Sequence, residues 1–229
     1  MPGPSRRPPD PIGYQTAGKH VQIHFDDIDA AEIDRRIALY GPLTQAVREL
    51  ADATIRTEVD EDTIREVEAT VRAATARLRA QQIDGSFGAR FTSDGTMLPW
   101  GNAAVGVRNP IAPPMVVERD GTGLHRAELT LGAAYEGPPG LVHGGISALL
   151  LDQILGEAAA HGGQPSFTGT LTLRYRKPTP LGKIRVEARV DRVEGAKTFV
   201  VGSLSTDKGV TVEADAIFIQ PSWVRNRAG

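Results

Sequence analysis

A chain of 229 residues with a formal net charge of −2 can bury a full core, and its near-balanced charge gives no global attraction to nucleic acid or an anionic membrane. It contains no cysteine, which excludes disulfides, thiol nucleophiles and thiolate metal sites. No apolar run approaches the roughly 20 residues of a membrane span and the N-terminus lacks the apolar stretch of a signal peptide, so the expectation is a soluble, cytoplasmic domain with an appendage.

Residues 1–25 are rich in Pro, Gly and Arg at their start, a composition that favours an extended or disordered segment. His20 and His24 are spaced as metal ligands can be, but no third ligand accompanies them, and no metal is expected. Residues 26–85 read as a helical extension. Pro42 suits the first turn of one helix and Asp60-Glu61-Asp62 the start of another. In the second, Ile64, Val67, Val71, Ala74 and Leu78 recur at alternating spacings of three and four, an apolar stripe on one face. A helix in water needs such a stripe covered. Two covers are open: the outside of the main domain, or the mouth of a substrate tunnel, where the helix would act as a lid.

Gly and Pro rise again between Gly85 and Pro114, and residues 86–229 are expected to form the main domain. Met115 to Glu118 and Leu124 to Leu131 flank Asp120-Gly121-Thr122-Gly123 and read as a hairpin. After an apolar helix, Leu171, Leu173 and Tyr175 alternate with polar residues, as do Ile184, Val186, Ala188 and Val190, and two further strands flank Asp207-Lys208-Gly209. Five or six antiparallel strands with one long helix between the second and third make an α+β fold, the sheet curled around the helix.

The stretch from Gly137 to Ala160, GPPGLVHGGISALLLDQILGEAAA, carries the chemistry. Gly144 and Gly145 fall where the helix begins, so their N–H groups lack intrahelical acceptors and lie at the positive end of the helix dipole. Such groups can hold a developing oxyanion. Asp152 lies among Leu149, Leu150, Leu151, Ile154 and Leu155, where a carboxylate needs a partner, structural or functional. Eight helical residues separate Gly144 from Asp152, about 12 Å along the axis. One carbonyl carbon cannot touch both, so a shared reaction requires two chains related by a two-fold axis.

In three ordered pieces the chain resembles the hotdog-fold acyl-CoA thioesterases, the PaaI-type and "thioesterase superfamily member" groups. These are Gly137-Pro138-Pro139-Gly140 leading into His143-Gly144-Gly145, then Asp152, then Phe167-Thr168 ahead of Tyr175-Arg176-Lys177-Pro178. The resemblance covers roughly Ala103 to Pro221. It implies that the Gly144 N–H polarises a thioester carbonyl, that Asp152 activates water or attacks directly, that Thr168 positions that water and that His143 braces the turn. No cofactor is implied. Many PaaI-type enzymes carry Asn six residues before the histidine; here that position is Gly137, which leaves a second oxyanion donor unassigned. Gly169 beside Thr168 suits a bulge that re-aims the threonine.

Arg174, Arg176, Lys177, Lys183 and Arg185 fall within a stretch free of acids. They are either a solvated strand face or contacts to the phosphates of coenzyme A. Arg176 and Lys177, at the strand end, are the expected substrate contacts together with Gly145. The partners implied are acyl-CoA and further copies of the chain, as a homodimer or a dimer of dimers. Two other readings stay open. A hotdog hydratase typically pairs an Asp with a His five residues later, where this chain has Glu157; a non-catalytic acyl-CoA-binding module would not need Asp152. No G-x-S-x-G elbow is present for serine hydrolysis.

Overall fold

The structure, a computed structural model, describes residues 14–16, 19–21, 23–92, 97–160 and 166–222. Most of the N-terminal segment expected to be extended lies outside the described residues, as do His161 and the side chains of His20 and His24. The chain divides into two compact units, one of residues through Asn102 plus Gly106–Pro110, the other of Ala103–Val105 and Ile111 onward. The boundary expected at residue 86 therefore falls later. A pairing invisible to local pattern is the reason: strand β3 (Ile23–Asp26) runs parallel to β4 (Ala89–Thr92), which ties the segment after the helices to the segment before them.

In the first unit β1 (Tyr14–Thr16) pairs antiparallel with β2 (Lys19–Val21), and two helices follow β3. Helix α1 (Ala30–Arg56) starts at Asp29, whose side chain accepts the Glu32 N–H. It runs straight through Pro42 instead of starting there. An interior proline removes one backbone bond and costs about 3 kcal/mol, yet a helix of 27 residues retains the rest of its ladder and adds the Glu32 pairs with Arg35 and Arg36. Helix α2 (Glu61–Arg79) begins as the acidic run predicts, with Asp60 capping the Thr63 N–H. Its apolar stripe of Ile64, Val67, Val71, Ala74 and Leu78 is exposed throughout. Arg108 stacks on the Tyr40 ring at 3.9 Å and fixes the end of the unit to α1.

The second unit is one six-stranded antiparallel sheet in the order β5-β6-β8-β9-β10-β7, laid on helix α3 (Gly144–Ala159). The strands are β5 (Glu118–Arg119), β6 (Leu124–Leu131), β7 (Phe167–Tyr175), β8 (Gly182–Glu194), β9 (Lys197–Thr206) and β10 (Gly209–Ile219). The hairpin over Asp120–Gly123 is present, but its first strand shrinks to two residues. Alternation sets one face inward: His125, Ala127, Leu129 and Leu131 on β6, Ile184, Val186 and Ala188 on β8, and Val212, Ala214, Ala216 and Phe218 on β10 are buried. Leu150, Leu151, Ile154, Leu155 and Ala158 of α3 close that face into a single core. Gly202 on β9 makes the contact possible, since a Cβ there would stand 3.1 Å from Leu155 Cδ2 and 2.6 Å from the Glu187 carbonyl oxygen.

Candidate active site

Two proline-rich corners build the site. The Gly137–Gly140 turn and the Pro178–Leu181 turn hold each other: Leu181 N–H donates to Gly140 O and Val142 N–H to Thr179 O. Gly140, at φ +73°, takes the left-handed conformation that glycine adopts without strain. This lock delivers His143 to the N-cap of α3, where Nδ1 accepts the Gly145 N–H at 3.0 Å. The Ile146 and Ser147 N–H groups turn back to the His143 carbonyl. The Gly144 N–H alone of this first turn has no acceptor among the described residues. It stands at the helix's positive end.

Gly144 lines a pocket of about 350 Å³ with Ser147, Tyr175, Arg176, Lys177 and Thr179. Of the two cations, Arg176 is engaged, its Nε donating to Glu213 across the sheet at 2.9 Å. Lys177 is exposed and makes no ion pair among the described residues. The other cations are cross-strand partners: Arg174 pairs with Asp215, and Lys183 and Arg185 both pair with Glu128. Arg185, with Lys183 second, holds the Glu128 carboxyl below the usual range. The three strand-face cations are thus paired across strands, and Lys177 at the strand end makes no such pair among the described residues.

Gly137 is packed shut. A Cβ there would lie 2.8 Å from His143 Cα, so an Asn at this position would displace the backbone of the capping histidine.

Asp152 sits elsewhere on α3, outside the pocket lining. It is half-buried, whereas Leu150, Leu151, Ile154 and Leu155 are sealed: the helical rotation turns it away from the leucine cluster and toward β7. There Thr168 Oγ1 donates to Asp152 Oδ1 at 2.9 Å. The register explains how a threonine of the wrong parity arrives. Leu171 and Leu173 pack inward, which by alternation would turn 169 to the helix and 168 away. The β7–β10 register breaks at this point, Thr170 pairing with Ile217 and Thr168 with Phe218, so Gly169 is the extra residue of a bulge and Thr168 swings inward. A Cβ on Gly169 would stand 2.7 Å from Ile219 Cδ1 and 3.2 Å from the Ile217 carbonyl oxygen, so the exposed Ile219 tip would have to shift to admit it.

The structure therefore brings Asp152 to Thr168 near the middle of α3, and His143, Gly144, Gly145, Arg176 and Lys177 to its N-terminal end. It does not bring the two groups together within one chain. The Gly145 N–H faces His143, so any role of Gly145 at the pocket rests on its missing side chain: a Cβ would stand 3.1 Å from His143 Nδ1. Sequence reasoning passed over the part played by Tyr175 Oη, which donates to Gly144 O at 2.8 Å. Its signal was the inward parity it shares with Leu171 and Leu173.

The thioesterase superfamily model matches residues 139–213, from the Pro-Gly turn through β10's first half. The acyl-coenzyme A thioesterase THEM4 of Xenopus laevis is 35% identical over 92 residues, 39% of this chain and 41% of that protein. Human acyl-coenzyme A thioesterase THEM5 is 27% identical over 92 residues, 39% of this chain and 37% of its own. The match thus spans well under half the length of these curated relatives. A crystal structure described as a thioesterase superfamily protein is 30% identical, superposes with a TM-score of 0.70, and covers 85% of this chain and 98% of its own.

Proposed function

Because the chain belongs to the thioesterase superfamily and adopts its hotdog fold, we propose that it hydrolyses acyl-CoA thioesters to a free acid and coenzyme A at a site shared by two copies. The observation that carries this reading is the Gly144 N–H, open in a pocket beside Lys177, with Asp152 and Thr168 held together near the middle of the same helix. The acyl-CoA substrate of the relatives above supports the choice of thioester.

In this mechanism Asp152 takes a proton from water as the hydroxide oxygen attacks the thioester carbonyl carbon. Thr168, donating to Oδ1, fixes the carboxylate plane and leaves its own lone pairs to accept from that water. Negative charge gathers on the carbonyl oxygen, where the Gly144 N–H donates. The tetrahedral intermediate then collapses, the carbon–sulfur bond breaks, and the proton held by Asp152 passes to the departing thiolate, which leaves as coenzyme A and restores the carboxylate. Lys177 attracts its phosphates as an exposed point charge.

The second copy enters through β7. This nine-residue strand is the edge of the sheet, with Phe167 58% and Tyr175 54% exposed, and an uncovered edge is a template for pairing. Antiparallel pairing about Thr172 sets Leu171 opposite the partner's Leu173, both inward. The extra residue at Gly169 then brings Thr168 opposite the partner's Tyr175, also inward. Since Thr168 carries Asp152 and Tyr175 carries Gly144, this register meets the requirement that about 12 Å of helix imposes.

The decisive experiment is thiol release from a panel of acyl-CoA esters, with two variants beside the wild type. Asp152→Asn keeps shape and removes the base; turnover should fall by about 10²–10⁴ with binding kept. Gly144→Pro replaces the N–H with a ring carbon in a backbone that accepts it, because proline suits the first helical position and His143 already has the extended backbone, ψ 133°, that precedes a proline. Near-normal turnover in either folded variant would remove that residue from the mechanism. Binding without turnover by the wild type across the whole panel would favour the non-catalytic module.

A further inference from the structure

Tyr175 has no chemical step in the reaction above, yet it touches the group on which that reaction depends. It is the last residue of β7, paired with Val212. Its hydroxyl donates to the Gly144 carbonyl oxygen at 2.8 Å, and its ring lies against Gly144, where a Cβ would stand 3.4 Å from Oη and 3.6 Å from Cε1 and Cζ. It also forms part of the pocket wall.

The significance lies in which peptide it holds. The Gly144 carbonyl and the Gly145 N–H are two ends of one peptide plane. His143 Nδ1 receives the N–H end at 3.0 Å and Tyr175 Oη binds the carbonyl end. Two successive glycines give this first turn more conformational freedom than any other pair of residues; the Gly144 N–H donates no ladder bond itself, and its own peptide is held at the carbonyl end, where His143 O accepts from Ile146 and Ser147. The direction of that N–H is that of its own plane, and the adjoining Gly144–Gly145 plane fixes the backbone rotation at Gly144 that joins the two. A donor is catalytically useful only if it points at the oxyanion without reorganising.

We infer that Tyr175 is a positioning residue for the oxyanion donor, its hydroxyl and His143 clamping opposite ends of the Gly144–Gly145 peptide so that the Gly144 N–H faces the pocket. This rests on the reading of the pocket as the carbonyl site. Tyr175→Phe keeps the ring and the wall and removes only the clamp. With octanoyl-CoA as substrate, kcat should fall about tenfold while KM stays within about twofold, the pattern of a misdirected donor and not of a lost binding surface.

Two non-hydrolysable probes separate this from the thioesterase reading itself. A coenzyme A ketone, in which a methylene replaces the sulfur, retains the carbonyl; S-octyl-CoA, a thioether, has none. The Phe variant should bind the ketone about five- to tenfold more weakly and the thioether as the wild type does, with dimer mass unchanged by light scattering. Equal affinity for the ketone in both proteins, or equal weakening of both probes, overturns the inference. Because the probe comparison needs no turnover, it still reads Tyr175 if the wild type releases no thiol, an outcome that counts against the proposed function alone.

Discussion

Thr179 and Thr211 show how much of a site can depend on hydroxyls that touch no substrate. Thr179 Oγ1 donates to Thr211 Oγ1 at 2.8 Å and Thr211 Oγ1 to the Leu204 carbonyl, both side chains buried. The Thr211 carbonyl receives the N–H groups of Arg176 and Lys177, and the Thr179 carbonyl that of Val142. Thr211→Val would leave a buried hydroxyl without its acceptor, so a loss of about 1–3 kcal/mol is expected, read as a lower denaturant midpoint; adding Thr179→Val should recover most of it. At Gly137 the expectation is different. Gly137→Asn supplies the amide that PaaI-type enzymes carry, but with His143 Cα at 2.8 Å from the new Cβ it should cost about 1–3 kcal/mol and lower turnover through the displaced cap. A gain in turnover from that variant would mean that the loop yields more readily than its packing implies. Of these residue-scale features, the bulge was legible in Gly169, whereas the resemblance placed Asp152 and Thr168 in one site without joining them to each other. The hydroxyl chain and the Tyr175 clamp were not legible, because each joins strand ends whose register no local pattern encodes.

At the scale of elements, local chemistry was most legible where it acts within one turn. Asp60 caps α2 as expected, accepting from the Thr63 N–H and hydroxyl, contacts that hold its carboxyl below the ordinary range. Asp60→Ala should lower helix stability by about 1 kcal/mol, visible in far-ultraviolet dichroism. In α1, Arg35 and then Arg36 hold Glu32 at a pKa of about 2 against an ordinary 4.5. The folded value is the lower one, so the contribution to stability is full above about pH 4.5 and fades as pH falls through about 2. Acid titration of α1 should therefore be flatter in Glu32→Gln; an unchanged titration would mean these surface pairs contribute nothing. Longer-range features escaped the sequence. Continuity through Pro42 depends on the length of helix either side, and the parallel β3–β4 pairing joins segments more than sixty residues apart.

For the whole molecule, every residue assigned to the chemistry belongs to the second unit, which has its own core. Removal of residues 1–102 should leave hydrolysis in place, and its loss from a folded truncated protein would show that the helical unit completes the site. Assembly can be tested with a probe that the composition supplies. In a chain without cysteine, Thr172→Cys places one thiol on the proposed two-fold axis, within disulfide reach of its own copy. Mild oxidation should give a covalent dimer, whereas Thr170→Cys, whose neighbour across the axis is residue 174, should not.

A strand that holds Thr168 near one end and Tyr175 at the other also makes activity a problem in combinatorics. Asp152→Asn and Gly144→Pro are each silent as pure proteins, since every shared site then carries one defect. After equal mixing and random exchange, half the dimers contain one chain of each kind. In such a dimer one site collects both defects and the other has none, so recovered activity should approach about a quarter of the wild-type value. Sites built within single chains would recover nothing, and the fraction regained therefore counts how many chains make one site.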